Sequence, residues 1–241
     1  KQLSVDEAGY RQAMEAQRER ARSAQRFGVA QEQELYRGLH LPPGAFVGYD
    51  TLSAQARVVA LIRDGVPQDE VGPGQEVQVV LDRTPFYGEG GGQVGDKGEI
   101  LGPQGSVSIE STRHPLPEIA AHVGQVSQGL LRVGDQVRAE VDQEHRLDVA
   151  RNHTATHLLH HALQKTLGDH ARQAGSLVAA DRLRFDFTHL QPMSSEELLK
   201  VEQLVNAAIR GDLPVASDTT TFDQARRSGA MALFGEKYGD I

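Results

Sequence analysis

Along this chain the spacing of apolar positions changes twice, and each change marks a different kind of element. From Lys1 to about Phe27 the pattern is polar, with Glu15–Arg18 and Glu19–Arg22 at helical pair spacing and few large apolar residues beyond Tyr10, Met14 and Phe27. This predicts a helix that makes hardly any core of its own. Leu41-Pro42-Pro43-Gly44 breaks it. Between about Phe46 and Val141 the period falls to two: Val58 to Ile62, then Val77, Val79 and Leu81, then Val107 and Ile109, then Val133 to Val141. Asp64-Gly65, Gly72-Pro73-Gly74, Gly102-Pro103 and Gly134-Asp135 separate these runs, so short strands closing into a small barrel or sandwich are expected.

From about Asp142 the helical period returns. Residues 143 to 167 read as one long helix with Gly168 as its C-cap. Ser176-Leu177-Val178 and Leu183 to Phe187 follow as strands, the second presenting Leu183, Phe185 and Phe187 on one face. Ser194 and Glu197 have the form of a capping box. They open a helix with Leu198, Val201, Val205, Ala208 and Ile209 as its apolar stripe, stopped by Gly211 and Pro214. Val215 to Phe222 reads as a strand, and Asp223 as the cap of a last helix through Ala230. The fold class is α+β: a helical leader (1–40), a small glycine-rich β-barrel (41–142) and an α+β core with a histidine-bearing helix (143–241).

Composition narrows the chemistry. A formal net charge of −8 argues against a generally basic nucleic-acid binder, so any RNA contact must be a local patch. The absence of cysteine excludes disulfides and thiolate ligands from this chain, which fits a cytoplasmic protein. No apolar run is long enough to span a membrane. The chain starts at Lys1 without Met and ends at Ile241 beside loop-like residues, as expected of a piece of a longer polypeptide.

Two motifs carry candidate chemistry. His153 and His157 stand four apart on the long helix and can present two imidazoles to one metal ion. Thr154 occupies the place where a metalloprotease of this spacing keeps its general-base Glu, which argues against peptide hydrolysis. His160 falls near the same face, and His161 lies further round. The second motif runs from Arg83 to Asp96, where six of the residues from Gly88 to Gly98 are glycine. Its Gly91-Gly92-Gln93 is either a tight turn or a place where bare N–H groups approach a ligand. Gln173 can point a side-chain amide into the cleft beside the helix. Arg146, Arg151, Lys165, Arg172, Arg182 and Arg184 are either a phosphate-binding patch or surface charges balanced by nearby acids, and Arg18, Arg20, Arg22 and Arg26 pose the same choice in the leader.

Four runs, Arg83 to Asp96, Arg151 to His161, Gln173 to Phe187 and Gly229 to Asp240, together resemble the editing region of the alanyl-tRNA synthetase family. Related freestanding editing proteins share the first three. The resemblance covers about residues 45 to 241, and the leader matches more loosely the stretch that joins the family's aminoacylation part to its editing part. It implies hydrolysis of serine or glycine mistakenly esterified to tRNA(Ala), with the tRNA 3′ end as partner. It makes His153 and His157 two ligands of zinc, Gln173 a residue near the editing pocket, and Gly91, Gly92 and Gln93 the glycine-rich element that editing needs. In the family a downstream Cys-x-x-x-His supplies the other two ligands, and this chain contains no such motif. Aminoacylation with ATP and magnesium would belong to the full-length enzyme. A non-catalytic tRNA-binding or spacer module is the competing expectation.

Overall fold

The computed structural model describes Gly9, Met14, residues 29–216 and residues 220–228. The predicted leader helix lies outside the described residues except for Gly9 and Met14, both helical. The described helix 29–38 (α1) lies against the barrel. Its Tyr36 is fully buried among Ala60, Ile62, Val80, Ile119 and Ala121, and donates its hydroxyl to Gln78 Oε1 at 2.5 Å. Burial pushes that phenol's pKa up. Arg113 pairs with Glu32 at 2.6 Å on the same side. The end of the leader region is therefore packed structure, because one aromatic ring there covers an apolar outer face of the sheet.

The barrel follows the alternation read from sequence. The strands are β1 (Ala45–Phe46), β2 (Ser53–Arg63), β3 (Val66–Gln68), β4 (Glu70–Val71), β5 (Glu76–Leu81), β6 (Arg83–Thr84), β7 (Gly98–Leu101), β8 (Gly105–Leu116), β9 (Ile119–Gly129), β10 (Leu131–Arg132) and β11 (Gln136–Val141). Antiparallel pairing runs β2-β5-β9-β8-β7-β11, and β11 pairs back with β2, closing six strands. Closure leaves the barrel's backbone no open edge. Val58, Val79, Phe86, Ile100, Val107, Val126 and Val137 fill the interior. Two readings change here. The strand expected from Val133 starts at Gln136, because Val133 and Gly134 are spent on the turn. The expected runs also omitted β9, whose Ala120, Ala121, His122 and Gly124 blur a period-two signal.

His122 on β9 is completely buried. Its Nδ1–H donates to Val79 O at 2.8 Å, and Nε2 accepts from the Thr84 hydroxyl at 2.7 Å. Loss of water around the ring lowers its pKa from 6.5 to about 4. Since the unfolded chain takes up a proton at the higher pH, stability is full above pH 6.5 and falls as pH drops towards 4. At about 1.4 kcal/mol per pH unit the loss is about 3 kcal/mol. Urea unfolding from pH 7 to 4 should show this slope in the wild type and a shallower one in His122→Gln; equal slopes would refute it.

The second unit begins with α2 (Gln143–Leu167), capped by Asp142, whose side chain accepts from His145 N, and ended by Gly168. The hairpin β12 (Gln173–Val178) and β13 (Leu183–Phe187) lies on it, with Phe185 and Phe187 turned towards Ala162, Leu163, Ala171 and Val201. The capping box of Ser194 and Glu197 opens α3 (Ser195–Gly211). The helix ends at Gly211, as expected, and Asp212 follows as its cap in the left-handed conformation. Val201 and Val205 join this core, whereas Leu198 and Ile209 of the predicted stripe are 53% and 55% exposed. Val215 and Ala216 form no strand, nor do Thr220 and Thr221, and Phe222 begins α4 (Phe222–Arg227). β-propensity alone does not make a strand without a partner to pair with. Thr221, not Asp223, accepts from Gln224 N at the start of α4. The predicted extension through Ala230 lies outside the described residues.

Candidate functional site

The glycine-rich run leaves the barrel after β6 and is fastened on both sides. On one side Asp96 is almost fully buried and its carboxylate accepts from Tyr87 N at 2.6 Å. Arg146, from the first turns of α2, donates Nε to both oxygens of Asp96 at 2.9 and 3.0 Å, and Nη2 also donates to Oδ2. Its remaining donors reach Gly48 O at 3.0 Å and Pro85 O at 2.8 Å. On the other side the run is sewn to the hairpin: Val178 N donates to Gly92 O at 2.8 Å, and Val94 N to Val178 O at 3.0 Å.

Between these fastenings Gly90 and Gln93 exchange backbone hydrogen bonds of 3.1 and 2.9 Å across Gly91 and Gly92. Both central φ angles are positive, +58° and +84°, as a two-residue type I′ turn requires. A Cβ on Gly92 would stand 2.7 Å from Ser176 O, so any side chain there is excluded by packing as well as by φ. The open question of the sequence is answered in part: Gly91-Gly92 makes a tight turn, and that turn is seated against the second unit.

The turn delivers Gln93 to the histidine helix. Gln93 is 9% exposed, and its Oε1 accepts from Nδ1–H of His153 at 2.5 Å. His153 and His157 stack with ring centroids 5.0 Å apart, and their Nε2 atoms are 3.1 Å from each other. Desolvation and the neighbouring His157 together hold the His153 pKa below its ordinary value. Asn152 fixes the same turn of helix by donating to Ala179 O and Ala180 O at 2.8 and 3.1 Å. Two imidazoles with adjacent Nε2 atoms can share one cation. Among the described residues there is no cluster of three or more His, Cys, Asp or Glu able to hold a metal.

Other expected residues go elsewhere. His160 is buried with its ring 5.0 Å from Phe185, and its Nε2 has no hydrogen-bond partner. His161 is exposed. Gln173 is exposed at the far end of β12, opposite Phe187 and five residues, about 16 Å of strand, from Val178. Its side chain makes no hydrogen bond to His153, His157 or Gln93 among the described contacts. Arg146 is consumed by Asp96 and leaves the phosphate patch proposed from sequence, because a buried carboxylate needs its charge. Arg151, Arg182 and Arg184 pair with Asp148, Asp181 and Asp186, the balanced surface charges that were the alternative reading. The Asp96–Arg146 pair was not singled out from sequence as a pair: fifty residues separate its members.

Residues 1–145 match the sequence profile of the class II (A) tRNA synthetases. The chain belongs to that family. Beyond the profile the likeness extends through the histidine helix. An alanine–tRNA ligase of Roseiflexus sp. (strain RS-1) is 51% identical over 99% of this chain and 26% of its own length. The alanine–tRNA ligase of Chloroflexus aurantiacus is 52% identical over 99% of this chain and 27% of its own length. That of Thermus thermophilus is 51% identical over 98% and 27%. The chain thus spans about a quarter of the length of these family members. No helix among the described residues is long and apolar enough to cross a membrane.

Proposed function

We propose that this chain is the editing region of a cytoplasmic alanine–tRNA ligase and hydrolyses the ester of Ser-tRNA(Ala) and Gly-tRNA(Ala) beside α2. The observation that carries the reading is the pair of Nε2 atoms, 3.1 Å apart on an exposed helix face and backed by the glycine-rich turn. Zinc fits these two donors as half of a tetrahedral set, with the Cys-x-x-x-His of the family resemblance as the other half. When bound it supplies Lewis acidity. The protein's own groups do the rest. The exposed turn at Gly91 and Gly92 offers backbone N–H groups to the terminal ribose or the ester oxygen. Gln93 holds His153 in place, and Gln173 is assigned to substrate positioning from the resemblance alone. Rejection of correctly charged alanine follows if a polar group that bonds the serine hydroxyl is left unpaired when alanine enters. Joining alanine to tRNA(Ala) with ATP and magnesium belongs, in this reading, to other parts of the full-length protein.

The test is serine release from Ser-tRNA(Ala) by the full-length protein before and after dialysis against a chelator. Release that stops on chelation and returns with zinc supports the proposal. Equal release by metal-free protein removes the role of the metal. Tight tRNA binding with no hydrolysis in either state would instead make the region a non-catalytic tRNA-binding module.

A further inference from the structure

The contact between Gln93 and His153 joins two units: Gln93 is carried by a turn from the barrel, and His153 by the helix of the α+β core. A carboxamide oxygen can only accept, so a hydrogen bond to it places the proton of His153 on Nδ1. Nε2 of the same ring is then unprotonated, with its lone pair directed to the side where Nε2 of His157 lies. A neutral imidazole binds a cation through such a lone pair, and the partner of its other nitrogen decides which one is available.

We propose that Gln93 is a positioning residue that selects the Nδ1–H tautomer of His153 and so presents Nε2 to the cation shared with His157. Three features suit it to the task. Its side chain is nearly excluded from water, so the acceptor is not exchanged for solvent. Its backbone is closed into the turn by both hydrogen bonds to Gly90. The turn is held to α2 through Asp96 and Arg146 and to β12 through Val178, so the acceptor and the ring are positioned by the same framework. With Nδ1 of His153 protonated, an Nε2–H on His157 can donate to the free lone pair of His153 across their 3.1 Å separation. The consequence is that cation affinity on the helix depends on a residue of the barrel that touches no cation.

The purpose of the tautomer rests on the proposed editing reaction, but its presence does not, and the two are tested separately. Long-range proton–nitrogen NMR of the metal-free 241-residue chain reads the protonated nitrogen of each histidine directly. The expected spectrum has His153 protonated at Nδ1 and His157 at Nε2. In Gln93→Leu, His153 should move towards the Nε2–H form, and in the full-length protein zinc affinity by chelator competition should fall about 10- to 100-fold, the usual effect of removing such a partner. Gln93→Glu, which keeps an acceptor oxygen, should restore both readouts and controls for damage to the turn. A wild-type Nε2–H tautomer at His153 would overturn the proposal, as would a full-length Gln93→Leu protein with unchanged zinc affinity. Failure of the full-length protein to hydrolyse Ser-tRNA(Ala) would leave these two measurements untouched and refute only the editing assignment.

Discussion

Replacing both His153 and His157 with Ala should lower Ser-tRNA(Ala) hydrolysis by the full-length protein at least about 100-fold, the scale on which removal of a single preorganised polar group acts. The change should leave the fold intact. Both side chains are exposed, neither belongs to the core around Ala162 and Leu163, and alanine favours a helix interior more than histidine does. Melting should therefore move little while serine release collapses. Retained single-turnover hydrolysis would remove the pair from the reaction. A melting temperature that collapsed in parallel would mean that the histidines hold the structure.

Asp96→Ala is expected to act in the opposite sense, through stability first. Arg146 keeps only 17% of its side-chain surface exposed, and without Asp96 its charge faces Gly48 O and Pro85 O alone. Breaking a buried pair by removing one partner costs about 3 to 5 kcal/mol. Tyr87 N loses its acceptor as well, so the glycine-rich run is released at one of its two fastenings. Denaturant unfolding measures the cost. A loss below about 1 kcal/mol would show that the pair is solvated and that the run is held by Val178 instead. Replacing both members with apolar residues of similar volume should be milder than either single change, because no charge is then stranded.

The contrast between the two experiments follows from where each group sits. The histidines project from one side of a helix that is anchored elsewhere, by Asn152 below them and by the core further along. The Asp96–Arg146 pair lies where the barrel meets that helix, so its loss reaches stability and site geometry together.

Local rules made much of the molecule legible in advance. Apolar runs located the barrel strands β2, β5 and β11: the inward face takes every second residue, and in β2 and β5 the outer residues Ala60, Ile62 and Val80 are apolar as well because Tyr36 covers them. The Asp142-to-Gly168 limits of α2 and the capping box of α3 were readable because capping chemistry acts within four residues. The four-residue spacing put His153 and His157 on one face for the same reason. Segments whose outcome depended on a distant partner were not readable. Val215 to Phe222 has the composition of a strand but none forms among its described residues, and Tyr36 became core only because a sheet face lay against it.

For the histidine pair the division is the same. The sequence by itself determined that two imidazoles share a helix face, that Thr154 displaces a peptidase base, and that the run after Arg83 is rich enough in glycine to form a tight turn or a ligand loop. Only the tertiary structure decided that this turn meets that helix, that Gln93 rather than Gln173 touches His153, and that Arg146 serves Asp96 instead of phosphate. The physical reason is range. Helix faces, caps and turn conformations are set by neighbours within a few residues, whereas contacts across 50 or 60 positions depend on how the barrel, the hairpin and the helix are laid together.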